Sequence, residues 1–474
     1  MTLTLSYNQS DIPAGVDETN DLLMVTSSHT TAEFVPVAGS IVDPVANTIS
    51  ATISGFSSFW IALPNCTFAG GLDPWCPPMC ELPAPTYPDD PGGTLDTSFG
   101  TAGKLSFDLG PAGTTGISDL LIDDSGRLLL GASALRMAVI RILPNGEGRD
   151  PSFGDGGVAL AYTQNEDSQG ISIALRTDGR IILMGVRQPP GGGLNLMLAR
   201  FMTDGTLDAS FANDGILIDL RQGNTGAGQV ATLPDGRILV TDAGERSIYQ
   251  FLGDGSPDQS FGVDGIAEDP GFVGRPMLRR ATGDWLLALG TGARVVDAQG
   301  TIGILYANAG PSGSPRTFEE IAGGQYVMGG FQKLDAGPFG PSDLWAARFR
   351  PGSESGSLQS DPCFAGNGAG TYDFGRDEIG GSLAVQSDGR IVLGGATHEQ
   401  GNDDDDLFVA RIRPDGVVDA GFGDNGIVFL DFGGDESGGS VAIDDQGRIV
   451  VAGSSRTGDP LFGDRVGVVA RILP

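Results

Sequence analysis

The chain has 474 residues, enough for two or three ordinary domains or one large repetitive one, and its 40% hydrophobic content can fill packed cores despite 76 Gly and 29 Pro. No run approaches ~20 uninterrupted apolar residues, so nothing reads as a membrane-spanning helix. Lys+Arg 28 against Asp+Glu 60 leaves a net charge of −32, a field that repels polyanions and argues against nucleic acid as a partner.

Residues 1–7 lack the basic and apolar stretches of a signal peptide, so one is expected to be absent or already removed. Residues 1–64 carry alternating runs at 2–7, 22–25, 34–37, 48–53 and 59–63, which predict a small antiparallel β-module. With its closing Gly55-Phe56-Ser57-Ser58-Phe59, this segment resembles ZU5-like β-sandwich modules. Some of those self-cleave between Phe and Ser with help from a preceding His. No His precedes Phe56 in the motif, so cleavage at Phe56–Ser57 is not expected. Residues 65–92 are Pro/Gly-rich and read as a semi-rigid linker. Within it, Cys76 and Cys80 lack the second ligand pair that zinc needs. A disulfide among Cys66, Cys76 and Cys80 is expected in an oxidising compartment, with Cys363 reduced.

From residue 93 onward the chain repeats. Asp-x-x-Phe-x-x-x-Gly recurs at Asp96/Phe99/Gly103, Asp150/Phe153/Gly157, Asp208/Phe211/Gly215, Asp258/Phe261/Gly265, Asp361/Phe364/Gly368 and Asp419/Phe422/Gly426. The Phe-to-Phe steps are 54, 58, 50, 103 and 58 residues, so the long step hides a decayed copy near 305–315. Between these copies lie apolar runs joined by tight turns such as Asp178-Gly179-Arg180 and Asp388-Gly389-Arg390, seven in all. Asp-Gly between such runs predicts hairpins with a type I′ turn. A third run follows each hairpin, as in Ala199-Arg200-Phe201, and a fourth follows the Phe signature. Four short strands per unit cannot bury their faces alone; radial packing buries them. The expected fold is all-β: a seven-bladed β-propeller of four-stranded blades over residues 93–474, preceded by the small β-sandwich-like module. Because the repeat is cut between its third and fourth strands, residues 104–109 should close the ring by joining the last blade.

The unit Ala-Arg-Phe-x-x-Asp-Gly-x-x-Asp-x-x-Phe-x-x-x-Gly, with its Asp-Gly-Arg hairpin, resembles the delta-60 repeat of bacterial secreted and surface proteins. The resemblance covers about residues 93–474 and departs most in the fourth and fifth units. It implies an extracellular or cell-surface location and a propeller-like fold, and implies no activity.

Catalytic signatures are missing: the only histidines, His29 and His398, sit in no metalloprotease motif, and no G-x-S-x-G elbow occurs. Arg141, Arg200, Arg348, Arg411 and Arg471 recur once per unit with Asp150, Asp208, Asp361, Asp419 and Asp96. That periodicity predicts a structural clamp holding each third strand to the following turn. Function is expected in the long, variable loops that share one face, at 186–195, 331–342, 396–406 and 454–465, together with 163–170 and 433–439. There Asp403, Asp404, Asp405 and Asp406 are candidate Ca²⁺ ligands, although without EF-hand or RTX spacing the run reads first as a solvated charge run. The expectation is a non-enzymatic binding or structural scaffold for a protein or glycan ligand, needing no cofactor beyond that Ca²⁺. The alternative is a polysaccharide-active hydrolase or lyase at the central channel.

Overall fold

The computed structural model describes residues 92–474, apart from 109–114, 162–166, 219–225, 269–275, 307–313, 335–340, 352–357, 399–404, 458–463 and a few single or paired positions, together with six strands before residue 63. Asp403, Asp404, His29, Cys66, Cys76, Cys80 and the Phe56–Ser57 bond lie outside the described residues. The chain divides into two compact units, Met1–Pro88 and Asp89–Pro474. The first contains two three-stranded antiparallel sheets. One orders Thr2–Ser6, Thr48–Thr52, Ile41–Asp43; the other orders Phe34–Pro36, Leu23–Ser27, Phe59–Ala62. Ile41–Asp43 is a strand that the sequence alternation does not announce.

The second unit is a ring of seven antiparallel sheets, a seven-bladed β-propeller. The innermost strands of blades 1 to 7 are Thr115–Ile122, Asp167–Leu175, Val230–Thr232, Met277–Arg279, Ser314–Ile321, Asp377–Val385 and Asp435–Ile443. Blade 2 shows the pattern: Asp167–Leu175, Ile181–Gln188, Asn195–Phe201 and Ile216–Ile218 pair in chain order. Its two middle strands are sandwiched between neighbouring blades. Asn195–Phe201 is therefore buried at every position, and its residues are apolar except for Asn195 and the clamp Arg200. Blade 5 gains a fifth strand, since both Leu358–Ser360 and Ala369–Tyr372 pair with Ser342–Pro351. Elsewhere that return segment makes only single bridges, such as Phe201 with Leu207.

Ring closure uses both ends of the propeller. Lys104–Phe107 pairs with Asp464–Ile472, Ala470 facing Lys104 and Gly467 facing Phe107. The last blade thus consists of Asp435–Ile443, Ile449–Thr457, Asp464–Ile472 and Lys104–Phe107. The strand ends at Phe107, short of the expected residue 109.

The hairpin turns differ from the type I′ expectation. In 176–180 the Arg176 amide donates to the Arg180 carbonyl (2.8 Å) and the Gly179 amide to the Arg176 carbonyl (2.9 Å). Among the residues of this turn only Gly179 has positive φ, at 80°. This is a three-residue loop ending in a left-handed glycine. Asp178 stays right-handed because its Oδ1 accepts the Arg180 N–H at 3.0 Å.

Innermost strands of blades 1, 2, 5, 6 and 7 each carry a bulge, at Ser118, Ile171, Arg316, Gly381 and Gly439. The next residue stitches blades together. Asp119 Oδ2 accepts the Ile173 amide (3.0 Å), Thr317 Oγ1 the Leu383 amide (3.1 Å), and Ser382 Oγ the Val441 amide (2.6 Å). Among the described residues no helix is long and apolar enough to cross a membrane.

Candidate functional site

The recurring Arg and Asp meet at the joints between blades. Arg141, Arg200, Arg348, Arg411 and Arg471 each donate through Nε to Oδ2 of Asp150, Asp208, Asp361, Asp419 and Asp96, at 2.8, 2.8, 2.7, 2.9 and 2.8 Å. All ten side chains are buried. A second guanidinium nitrogen reaches a backbone carbonyl of the next blade: Thr203 from Arg141, Gly253 from Arg200, Pro414 from Arg348, and Pro144 from Arg471. Below each guanidinium lies the signature Phe ring, 4.4 Å away for Arg141 over Phe153 and 4.8 Å for Arg471 over Phe99. Four of the five arginines therefore tie blade to blade, and all five fix strand to turn.

Charge at the joints is set locally. Burial pushes Asp96, Asp150 and Asp208 upward, but hydrogen bonds from Ser98, Ser152 and Ser210, then the arginines, outweigh it and hold each carboxyl below the usual range. In blade 3 Gln250 replaces Arg and donates to Asp258 Oδ2 at 2.8 Å. There too burial opposes, while Ser260, Gln250 and Arg237 together bring Asp258 to about 2. In blade 5 the serine position is Cys363, partly exposed. It is disulfide-bonded, which corrects the expectation that it stays reduced.

A pocket opens where innermost strands begin, second strands end and third strands start, on the loop-rich side of the channel. It encloses about 400 Å³ between blades 5, 6, 7 and 1. Its lining includes Ser118, Arg316, Gly380, Gly381, Thr397, Asp405, Glu436 and Ser437. Arg316 stands at the bulge position that other blades fill with Ser, Ile or Gly. A bulge re-aims its side chain, and here the guanidinium lies over the Phe331 ring, 5.0 Å from its centroid. Its Nε is buried without an acceptor, and burial lowers its pKa, with no carboxylate offsetting that. In a protein of charge −32, a desolvated arginine without an ion pair among the described residues is an unusual expenditure. Sequence reasoning missed it because Arg316 falls in the unit whose repeat has decayed.

A larger open groove, about 700 Å³, lies at the outer edge beside Lys104, Glu147 and Phe432. Its lysine is already engaged: Nζ donates to the Asp431 carbonyl and sits 4.9 Å from the Phe432 centroid. The groove offers no spare cation.

Of the acidic run, Asp405 and Asp406 are described. The Asp405 carbonyl accepts the Glu436 amide at 2.7 Å, and Asp406 Oδ2 accepts from Arg376 at 2.7 Å. Asp406 groups with Asp431 and Glu436, and one blade earlier Asp343 groups with Asp373 and Glu378. The sequence signal for these groups is a repeated Asp-Phe-Gly-x-Asp-Glu-x-Gly-Gly-Ser, at 373–382 and 431–440.

Residues 176–211 and 386–422 match the family model described as a domain of unknown function (DUF5122) beta-propeller. Each stretch runs from a hairpin turn through the third strand to the joint Phe. No match was found among curated proteins. Among solved structures, the chain is similar to the Cps50 (Swd1) β-propeller domain of Myceliophteria thermophila, at 11% identity and TM-score 0.44, covering 77% of this chain and 99% of that one. It is also similar to a protein of unknown function from Dyadobacter fermentans, at 11% identity and TM-score 0.42, covering 78% and 97%. A third similarity is to an alpha-L-arabinanase of Penicillium chrysogenum complexed with arabinobiose, at 12% identity and TM-score 0.39, covering 78% and 97%. The chain is a β-propeller by its own strand pairing, and these likenesses add nothing on activity.

Proposed function

We propose that the protein is a non-enzymatic extracellular binding scaffold whose loop-rich channel mouth takes a hydroxyl-rich ligand bearing a single carboxylate, an oligosaccharide with one acidic sugar. Arg316 carries this reading: a guanidinium held in a pocket without a carboxylate partner suits a ligand carboxylate bidentately. Around it, Ser437 and glycine backbone provide small polar surfaces that complement hydroxyl groups. A volume of about 400 Å³ suits one or two sugar rings. The disulfide at Cys363 supports an oxidising, extracellular setting, in line with the delta-60 resemblance.

The rival reading, a hydrolase or lyase at the same mouth, draws on Asp405 and Glu436 in the lining. Calorimetric titration of the full chain with a galactose oligomer carrying one terminal galacturonic acid and with its neutral counterpart tests the proposal. Saturable binding of the acidic oligomer alone, weakened at least tenfold in Arg316→Gln, is expected. Equal affinity for both oligomers, no binding, or shortening of the oligomer would overturn it.

A further inference from the structure

We propose that the loop-rich face holds two calcium ions, one at each of two equivalent carboxylate triads in successive blades. The first triad takes Asp343 from the start of the third strand of blade 5, Asp373 after Ala369–Tyr372, and Glu378 from the innermost strand of blade 6. Asp406, Asp431 and Glu436 occupy the same three positions one blade on. In each triad one oxygen per residue lies within 4.8 Å of the other two. That limit matches the span across a Ca²⁺ ion with bonds of about 2.4 Å.

Proximity of acids alone would mean little in a chain with 60 of them. The buried glutamates supply the independent observation. Glu378 is fully buried; its Oε1 accepts the Arg376 amide at 3.1 Å, and its Oε2 accepts nothing. Glu436 is 2% exposed; its Oε2 accepts the Phe432 amide at 3.3 Å, and its Oε1 meets no donor in good hydrogen-bond geometry, with only the Ser455 hydroxyl beside it. A buried carboxylate oxygen without a donor is costly, and both triads repeat the arrangement.

The donor set selects the ion. All six side chains offer hard oxygens and none offers sulfur or imidazole, which favours Ca²⁺ over zinc or copper. Asp373 and Asp431 are exposed, so each triad opens to solvent for loading. The two sites are unequal: Arg376 already pairs with Asp406 at 2.7 Å, whereas no cation pairs with the first triad among the described residues. The site at Glu378 is therefore the tighter.

Calorimetric titration of CaCl₂ into the EDTA-stripped full chain at physiological salt decides this. Two equivalents should bind, with Glu378→Gln removing the tighter and Glu436→Gln the weaker, each by at least tenfold in affinity. Circular dichroism confirms that the near-isosteric variants fold, and Asp343→Asn gives a second route to the tighter site. Absence of saturable binding, retention of both equivalents in the double glutamine variant, or equal affinity for Mg²⁺ would overturn the assignment. Because Arg316 belongs to neither triad, Arg316→Gln leaves Ca²⁺ binding intact, which separates this result from the ligand experiment.

Discussion

At the scale of single residues, the joints explain why a few side chains recur with such regularity. Arg471 and Asp96 lie 375 positions apart, yet their side chains are only 6% and 9% exposed. Asp96→Asn leaves Arg471 buried without its counter-charge, and we expect a loss of about 3 kcal/mol in urea unfolding. Asp258 gives a pH-resolved test. Its folded pKa of about 2 lies below the unfolded value near 3.9, so its contribution is complete above about pH 4 and is lost as pH falls towards 2. Asp258→Asn should thus cost about 2 kcal/mol at pH 6, with the gap to wild type closing near pH 2. Sequence spacing brings Arg and Asp together because both lie within one unit. The second bond of Arg141, Arg200, Arg348 and Arg471, to a carbonyl in the next blade, has no local signal, since its partner is a main-chain atom 62, 53, 66 or 327 positions away.

Among the elements, turns and bulges show where local pattern under-determines geometry. Asp-Gly is compatible with a type I′ turn, but Asp178 uses its carboxylate to accept a backbone N–H and so needs no left-handed conformation. Both solutions place the flanking strands antiparallel, which is why the strand assignment holds while the turn type does not. The bulge at Gly439 is less forgiving. Its φ is 93°, and a Cβ there would strike the Gly395 backbone. Gly439→Ala should therefore destabilise by about 2 kcal/mol or more, read from the urea midpoint at unchanged slope. The triads escaped notice for another reason. Asp373 and Glu378 are five positions apart in a chain rich in acids, and their third member, Asp343, comes from a different strand.

For the whole molecule, closure and function are the two claims. Seven hairpins imply seven blades, and a repeat cut between third and fourth strands implies a blade built from both ends. Lys104–Phe107 occupies that place. Deleting residues 93–107 removes this strand, the Asp96 partner of Arg471 and the buried Phe99, and leaves two open edges. The truncated chain should melt at least ~10 °C lower or aggregate; an unchanged melting temperature would mean the ring does not depend on this blade. The proposed binding face follows from the variable loops, whereas Arg316 carries no sequence signal because it stands outside the repeat.

Hydrogen–deuterium exchange with and without a galactose oligomer carrying one terminal galacturonic acid tests the binding face most directly. Protection should concentrate at 379–381, 396–397 and 437–440, around Arg316, where innermost strands begin and second strands end. Protection confined to the hairpin turns at Gly179, Gly389 and Gly447 would contradict it, as would no protection under saturating ligand.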